Sequence, residues 1–190
     1  YPGGKSRAIS KILEQLPESF LEFREPFVGG GSVFITIRQK FPAVKVWIND
    51  LNFDLYCFWK IAQSNTEELS GRITKIKNET KNGRGLFDEF RGSLNNNLSD
   101  FDRALRFFVL NRITFSGTVD SGGYSELAYH SRFTHSSISR LRSLEPLLQN
   151  VKITNLDYRD VIHEPGNNVF VFLDPPYLAA VKSRLYGKNG

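Results

Sequence analysis

The 190 residues contain no methionine, and residue 1 is tyrosine. A chain so composed does not begin at a natural initiator. The expectation is a fragment, or a sequence with residues left off. There is one cysteine, Cys57, which excludes an internal disulfide and fits a reducing, cytoplasmic setting. It lies in the apolar run Leu55-Tyr56-Cys57-Phe58-Trp59 and reads as a buried, inert thiol. No apolar run approaches membrane-spanning length and no signal peptide is visible, so no membrane partner is expected. His130 and His135 stand among Ser and Thr, without Cys or acid partners at ligand spacing, so no metal site is expected. Repeats and low-complexity segments are also missing. What is plentiful is aromatic: sixteen Phe and seven Tyr, in a chain long enough for one domain with a sizeable core. The net charge of +5 is compatible with a nucleic-acid partner but is weak evidence for one.

The most informative stretch is Val169-Phe170-Val171-Phe172-Leu173-Asp174-Pro175-Pro176-Tyr177. Five apolar residues read as a strand buried on both faces, as in the parallel sheets of α/β folds. Pro175 and Pro176 cannot donate to a ladder, so the strand is expected to stop at Asp174. Ligands of open α/β sheets lie beyond the carboxyl ends of the strands. The turn therefore offers a carboxylate, free carbonyls and a flat aromatic face where a ligand belongs. Those groups suit an amino group conjugated to a ring, such as N6 of adenine. Asp174 and the Pro175 carbonyl can each accept one of its hydrogens, and Tyr177 can stack on the base. The plainer alternative is a strand, a proline turn and a core tyrosine.

Other strand ends carry similar signals. Phe20–Val28 reads as a strand, Gly29-Gly30-Gly31-Ser32 as a tight turn and Val33–Lys40 as a helix, the arrangement of nucleotide-binding folds. A second strand, Val44–Asp50, ends in a carboxylate about 20 residues after the glycines, where an acid accepts from ribose hydroxyls. The alternative for Asp50 is a cap on the helix predicted from Asn52 to Ala62. At the start, Tyr1-Pro2-Gly3-Gly4-Lys5-Ser6 opens a helix that Pro17 ends. Gly4-Lys5-Ser6 mimics the end of a P-loop but lacks the upstream strand and glycine, so that assignment is rejected. Lys5 is either a solvated lysine or an anion ligand.

The middle of the chain differs. Gly71–Leu98 is polar and basic, with acids interspersed, and reads as solvated helix and loop with a turn at Asn95-Asn96-Asn97. Phe101–Leu110 has helical spacing. Asn111-Arg112-Ile113-Thr114-Phe115-Ser116-Gly117 then leads into a Gly/Ser/Tyr loop through Tyr124. Such a loop is expected not to build a core; it mixes donors with aromatics, as does a surface that reads nucleic acid. A plain surface loop is the alternative. An amphipathic helix is expected over Ser137–Leu148, a third strand over Val151–Thr154 with Asp157 after it, and a short helix and turn over Asp160–Gly166.

Five segments together resemble the Dam-type, D12 class DNA adenine-N6 methyltransferases: Pro-Gly-Gly-Lys at 2–5, Glu-Pro-Phe-Val-Gly-Gly-Gly-Ser-Val-Phe at 25–34, Asn-Asp-Leu-Asn at 49–52, Asn-Arg at 111–112 and Asp-Pro-Pro-Tyr at 174–177. The resemblance spans the chain, with motifs in the same order. It implies a Rossmann-like, doubly wound, mostly parallel sheet with residues 1–59 and 151–190 forming the catalytic domain. Residues 60–150 would be a mainly helical target-recognition insert. The implied cofactor is S-adenosylmethionine, leaving as S-adenosylhomocysteine and held by Tyr1, Lys5, Phe27, Gly29, Gly31, Asp50, Asp157 and Asp174. The catalytic residues would be Asp174, Pro175, Pro176 and Tyr177, around a flipped adenine. Double-stranded DNA would be read by Asn111, Arg112, Ser116 and Tyr124. The protein would be a monomer, with a cognate restriction endonuclease as the protein partner the resemblance adds.

Two departures qualify it. Family members that read GATC carry Asn and Arg where this chain has Ser116 and Asp120, which puts that target in doubt. The family also continues past the catalytic motif with three further strands, so C-terminal strands are expected to be missing here. The rival expectations are a methyltransferase of RNA or of protein glutamine, and an inactive DNA-binding relative. Relatives of the first kind carry Asn at the position of Asp174.

Overall fold

A computed structural model describes residues 8–93, 97–119 and 121–176. Its centre is a four-stranded sheet in the order β3-β2-β1-β4, all parallel. The strands are β1 (Glu22–Glu25), β2 (Lys45–Asn49), β3 (Lys152–Thr154) and β4 (Val169–Val171). Phe23 lies opposite Val46 on one side and Phe170 on the other, and Ile48 lies opposite Ile153. The expected α/β class is observed, and the first and last strands are neighbours. β1 ends at Glu25 because Pro26 has no N–H to continue the ladder.

The crossovers explain the layers. Helix α1 (Ile9–Leu13) precedes β1, and α2 (Ser32–Lys40) joins β1 to β2. A long helical run joins β2 to β3: α3 (Phe53–Ser64), α4 (Thr66–Glu79), α5 (Gly83–Gly92), α6 (Asp100–Ile113), α7 (Glu126–Arg132), α8 (His135–Arg142) and α9 (Glu145–Leu148). Helix α10 (Tyr158–His163) joins β3 to β4. Alternate β1 side chains face opposite ways. Glu25 meets the start of α2, whereas Arg24 meets the end of α10, so helices cover both faces. Arg24 is fully buried. It ion-pairs with Glu22 and donates to the carbonyls of Val161, Glu164 and Pro165.

Aromatic packing joins sheet and helices. Phe34 of α2 meets Trp59 of α3 edge-on at 5.2 Å, and Phe58 packs on Phe107 and Phe108 of α6. Helix α6 is buried almost all round, which suits a helix at the centre of a bundle. Asp54 of α3 ties it down further by accepting from Arg103 and Arg106.

Four expectations need correction. Val169, Phe170 and Val171 are half-buried, not buried on both faces, because among the described residues β4 is an edge strand paired only with β1. β4 also ends at Val171, since β1 offers no partner beyond Pro26; only the Phe172 amide still reaches the Arg24 carbonyl. The helix expected over Ser137–Leu148 is two helices, α8 and α9, with Pro146 in the first turn of the second. The loop beyond Gly117 does contribute to the core: Thr118 and Gly122 are buried and Val119 joins the apolar cluster. An isolated antiparallel bridge, Thr114 to Tyr124, closes it. Helix α7 has no counterpart in the sequence-based expectations.

Candidate active site

The carboxyl ends of the four strands form one rim, and backbone-directed side chains fix it. Asn49, the last residue of β2, is 1% exposed. Its amide nitrogen donates to the carbonyls of Pro26 and Leu156, and its oxygen accepts from Thr154 and the Leu156 amide. One side chain thus links the ends of β1, β2 and β3. Asp50 follows. One of its oxygens accepts from the Gly29 amide and the other from the Asn52 amide, both at 3.0 Å. The cap of α3 is Asn52, whose side chain accepts from Leu55, so Asp50 is not that cap; it braces the glycine turn against the approach to α3. Burial raises the Asp50 carboxyl above its ordinary value, and three backbone amides pull the other way.

In the glycine turn, Gly29 and Gly31 have φ of 47° and 71°, the left-handed region that glycine enters without strain. A Cβ on Gly31 would lie 2.4 Å from Phe34 and 2.7 Å from Trp59, so a side chain is excluded there. Gly31 caps α2, whose N-terminus faces the rim. Phe27 packs against Tyr158 with tilted rings, centroids 5.3 Å apart, just beyond the ends of β1 and β3. Leu51, Leu156 and Tyr158 are exposed large apolar residues at the ends of β2 and β3. Asp157 caps α10 through the Arg159 amide and pairs with the Arg159 guanidinium, which holds its carboxyl down at about 2. Asp174 stands three residues past β4, with Pro175 and Pro176 behind it. Tyr1, Lys5, Tyr177 and Asp120 lie outside the described residues.

Glu25 is a residue that sequence reasoning placed in a motif but not in the site. It is buried, accepts the Phe34 amide at 2.9 Å, and feels the charges of Asp174 and Asp50. Its signal was available: a charged residue closing a strand, directly before proline and a glycine turn. Asn49 was quoted in the same way, without a role. Among the described residues no group of His, Cys, Asp or Glu is placed to hold a metal ion.

These groups suit S-adenosylmethionine. The turn admits close backbone approach, exposed apolar side chains beside Asp157 offer a slot for a purine, and a carboxylate-rich rim suits a sulfonium cation.

The second cluster lies on α6 to α8. Asn111 is 7% exposed and donates to the Gly117 carbonyl, closing the loop instead of facing solvent. Arg112 lies over the Phe108 ring at 5.1 Å, and its buried Nε has no hydrogen-bond partner. Burial lowers its pKa first, and the positive charges of Arg140 and Arg132 lower it further. Arg112 and Arg140 line a cavity of about 220 Å³ that reaches Gly29 and Gly30 and is floored by Phe58, Trp59 and Phe107. Ser116 is exposed with φ 52°, and Phe115 beside it is 64% exposed. Tyr124 packs between Phe87 and Tyr129 and donates its hydroxyl to Glu126. The structure thus groups Arg112 with Arg140 and Arg132, and Ser116 with Phe115, but turns Asn111 inward.

Comparison with known proteins identifies the family. Residues 1–190 match the family described as D12 class N6 adenine-specific DNA methyltransferase. The type II methyltransferase M.MjaIII of Methanocaldococcus jannaschii is 30% identical over 195 residues, covering 93% of this chain and 67% of its own length. The type II methyltransferase M1.LlaDCHI of Lactococcus lactis is 28% identical, covering 94% of this chain and 64% of its own. The DNA adenine methylase of Escherichia coli is 25% identical, covering 93% and 63%. The chain therefore spans about two thirds of the length of these curated relatives. It belongs to the D12 class N6 adenine-specific DNA methyltransferases.

Proposed function

We propose that this protein methylates N6 of adenine in double-stranded DNA, with S-adenosylmethionine bound at the ends of β1, β2 and β3. The observation that carries it is the pairing of β1 with β4, which puts the glycine turn and Asp174 at neighbouring strand ends. Bound cofactor supplies an activated methyl group. Methyl transfer from a sulfonium is a direct displacement, so the protein must align the reacting atoms and free the nitrogen lone pair. The Asp174 carboxylate accepts one N6 hydrogen and the Pro175 carbonyl the other. That pull draws the lone pair out of conjugation with the ring. Tyr177 stacks on the extruded base. Asp50 would accept from the ribose of the cofactor, and Asp157 would help to hold its purine.

Residues 60–150 serve as the DNA-reading insert. Arg112, Arg132 and Arg140 suit backbone phosphate, since among the described residues no carboxylate pairs with them. Ser116 and exposed Phe115 suit contacts with bases. Methylation of random-sequence DNA, with the modified base mapped, tests the proposal. Incorporation at adenine N6 is expected, together with loss on Asp174→Ala and retained cofactor binding in that variant. Methyl transfer to RNA or protein in preference to DNA would overturn it.

A further inference from the structure

The resemblance places Tyr124 among the DNA readers, but its ring packs between Phe87 and Tyr129 and its hydroxyl donates to Glu126 at 2.6 Å. The group that faces solvent at this edge is the Glu126 carboxylate. One oxygen accepts the Tyr124 hydroxyl, and the other lies 2.8 Å from Nε2 of His130, four residues further along α7. The Glu126 side chain is nevertheless 69% exposed. A carboxylate has about four acceptor sites, so two contacts orient it and leave others open. The Tyr124 hydroxyl, and after it His130, hold the carboxyl below its ordinary value, so it is ionised at neutral pH. Leu127 beside it is 78% exposed, the most uncovered large apolar side chain among the described residues. An oriented acid beside a bare apolar group suits a partner that offers amino groups and apolar edges together. The placement of α7 ties the pair to the reading loop. The Phe115 amide donates to the Gly123 carbonyl and the Ser125 amide to the Ile113 carbonyl, on either side of the Thr114 to Tyr124 bridge. This short antiparallel ribbon runs straight into α7, and Arg132 at the far end of α7 donates back to the Thr114 carbonyl. Six residue steps separate Glu126 from Arg132, about 9 Å of helix. The major groove is about 12 Å wide and admits a ribbon or a helix, so one short element can reach from phosphate to base edge.

We propose that Glu126 is a specificity-determining residue, accepting an N4 amino hydrogen from one cytosine in the major groove of the target, with His130 as its positioning residue. The inference rests on residues 60–150 reading DNA. A carboxylate set towards a polyanion weakens binding to every sequence unless a base donor meets it, so it acts as a filter. Cytosine presents an N4 donor to the major groove. Adenine presents N6 beside the N7 acceptor, which a carboxylate repels, and guanine presents acceptors only. Leu127 then lies against the apolar C5 edge next to the cytosine amino group. His130 and Tyr124 fix the carboxylate before DNA arrives, so little side-chain freedom is lost on binding.

Methylation of random-sequence duplex DNA by the full-length protein and its variants, with the flanking bases of every modified site counted, reads this directly. The parent should prefer cytosine at one target position by about 5-fold to 100-fold. Glu126→Ala should make that position indifferent and leave the others as they were. Glu126→Gln should move the preference to adenine, whose N6 and N7 match an amide. Both variants should bind duplex without a target site about two-fold tighter or more, since a charge facing the phosphates is gone. His130→Ala should blunt the cytosine preference by about two-fold to five-fold, and His130→Gln, which can still donate, should restore it. An unchanged target in Glu126→Ala and Glu126→Gln, or equal loss at all positions together with a lower melting temperature, would overturn the proposal and leave Glu126 a brace for Tyr124. A cytosine preference untouched in His130→Ala would overturn the positioning role. Should Glu126→Ala lose its fold, the switch in Glu126→Gln decides, since that variant keeps an acceptor for the Tyr124 hydroxyl. If the parent methylates no DNA, the proposed function itself fails, and the inference falls with it.

Discussion

The rim of strand ends and the loop from Thr114 to Tyr124 solve opposite problems. The rim collects acidic side chains, Glu25, Asp50 and Asp174; backbone amides hold Glu25 and Asp50, and buried Asn49 fixes the strand ends around them. The loop and its flanking helices collect arginines and brace the backbone from beneath through Asn111 and Arg132, which donate to the carbonyls of Gly117 and Thr114. Negative charge gathers where a cation is expected, and positive charge where a polyanion is expected. In both places backbone-directed hydrogen bonds fix the side chains' setting, and on the loop side binding of a polyanion should relieve the repulsion among Arg112, Arg132 and Arg140.

The sharpest separation of the two regions is Asp174→Ala. Turnover should fall about 1,000-fold or more, the scale of losing a transition-state acceptor, while DNA affinity holds. Single-turnover methylation beside a DNA-binding titration measures it; a fully active variant would end the proposed role of Asp174. Asp50→Ala should weaken cofactor binding by about 1.5–3 kcal/mol, since two amides and the ribose lose a buried acceptor. Calorimetric affinity tests this, and an unchanged value would leave Asp50 with only its bracing of the glycine turn.

On the other side, Asn111→Ala should lower stability by about 1–3 kcal/mol by stranding the Gly117 carbonyl, with cofactor affinity unaltered. Denaturant melts check the first half; a loss of cofactor affinity would show the two regions to be coupled. Arg112→Ala should be mildest. It should lower the salt slope of DNA binding by about one while leaving target preference alone. A slope that does not move would take Arg112 off the phosphate backbone.

A pH series sharpens the contrast further. Glu25 and Asp50 are raised in the folded protein, so their contribution is complete below the ordinary carboxylate range and is lost as pH rises through the raised values. Asp157 is lowered, so its contribution is present above the ordinary range and is lost as pH falls through about 2. Cofactor-free protein should therefore melt at lower temperature as pH climbs from about 4 towards neutrality. Glu25→Gln should flatten much of that slope; an unchanged slope would place the linked proton elsewhere.

The sheet was legible because three of its four strands end in motifs, Glu-Pro-Phe, Asn-Asp and Asp-Pro-Pro, which punctuate the apolar runs. Asp50 and the glycine turn were legible by spacing. The roles of Glu25 and Asn49 were not, because a motif marks an end without saying which side chain turns inward. The reading loop misled in another way. Gly, Ser and Thr carry no apolar signal, yet Thr118 and Gly122 are buried because the chain folds back over Asn111, and only Val119 hinted at that. Pro146 could have marked the break between α8 and α9, since proline prefers the first turn of a helix.

Buried Arg24 also bears on how the chain reaches this state. It belongs to an early strand, but its carbonyl partners lie 137 to 141 residues further along. Until α10 and the turn after it arrive, its guanidinium has Glu22 and the Trp47 ring but none of its carbonyl acceptors, so β1 is not fully settled in the sheet. The helical run between β2 and β3 is held by nearer contacts and can form first. Closing the sheet then requires a long loop to be brought together, which slows folding. During synthesis the glycine turn and the Asp-Pro-Pro turn cannot meet until β4 has emerged. Assembly of the rim is therefore a late event, with Arg24 as its latch.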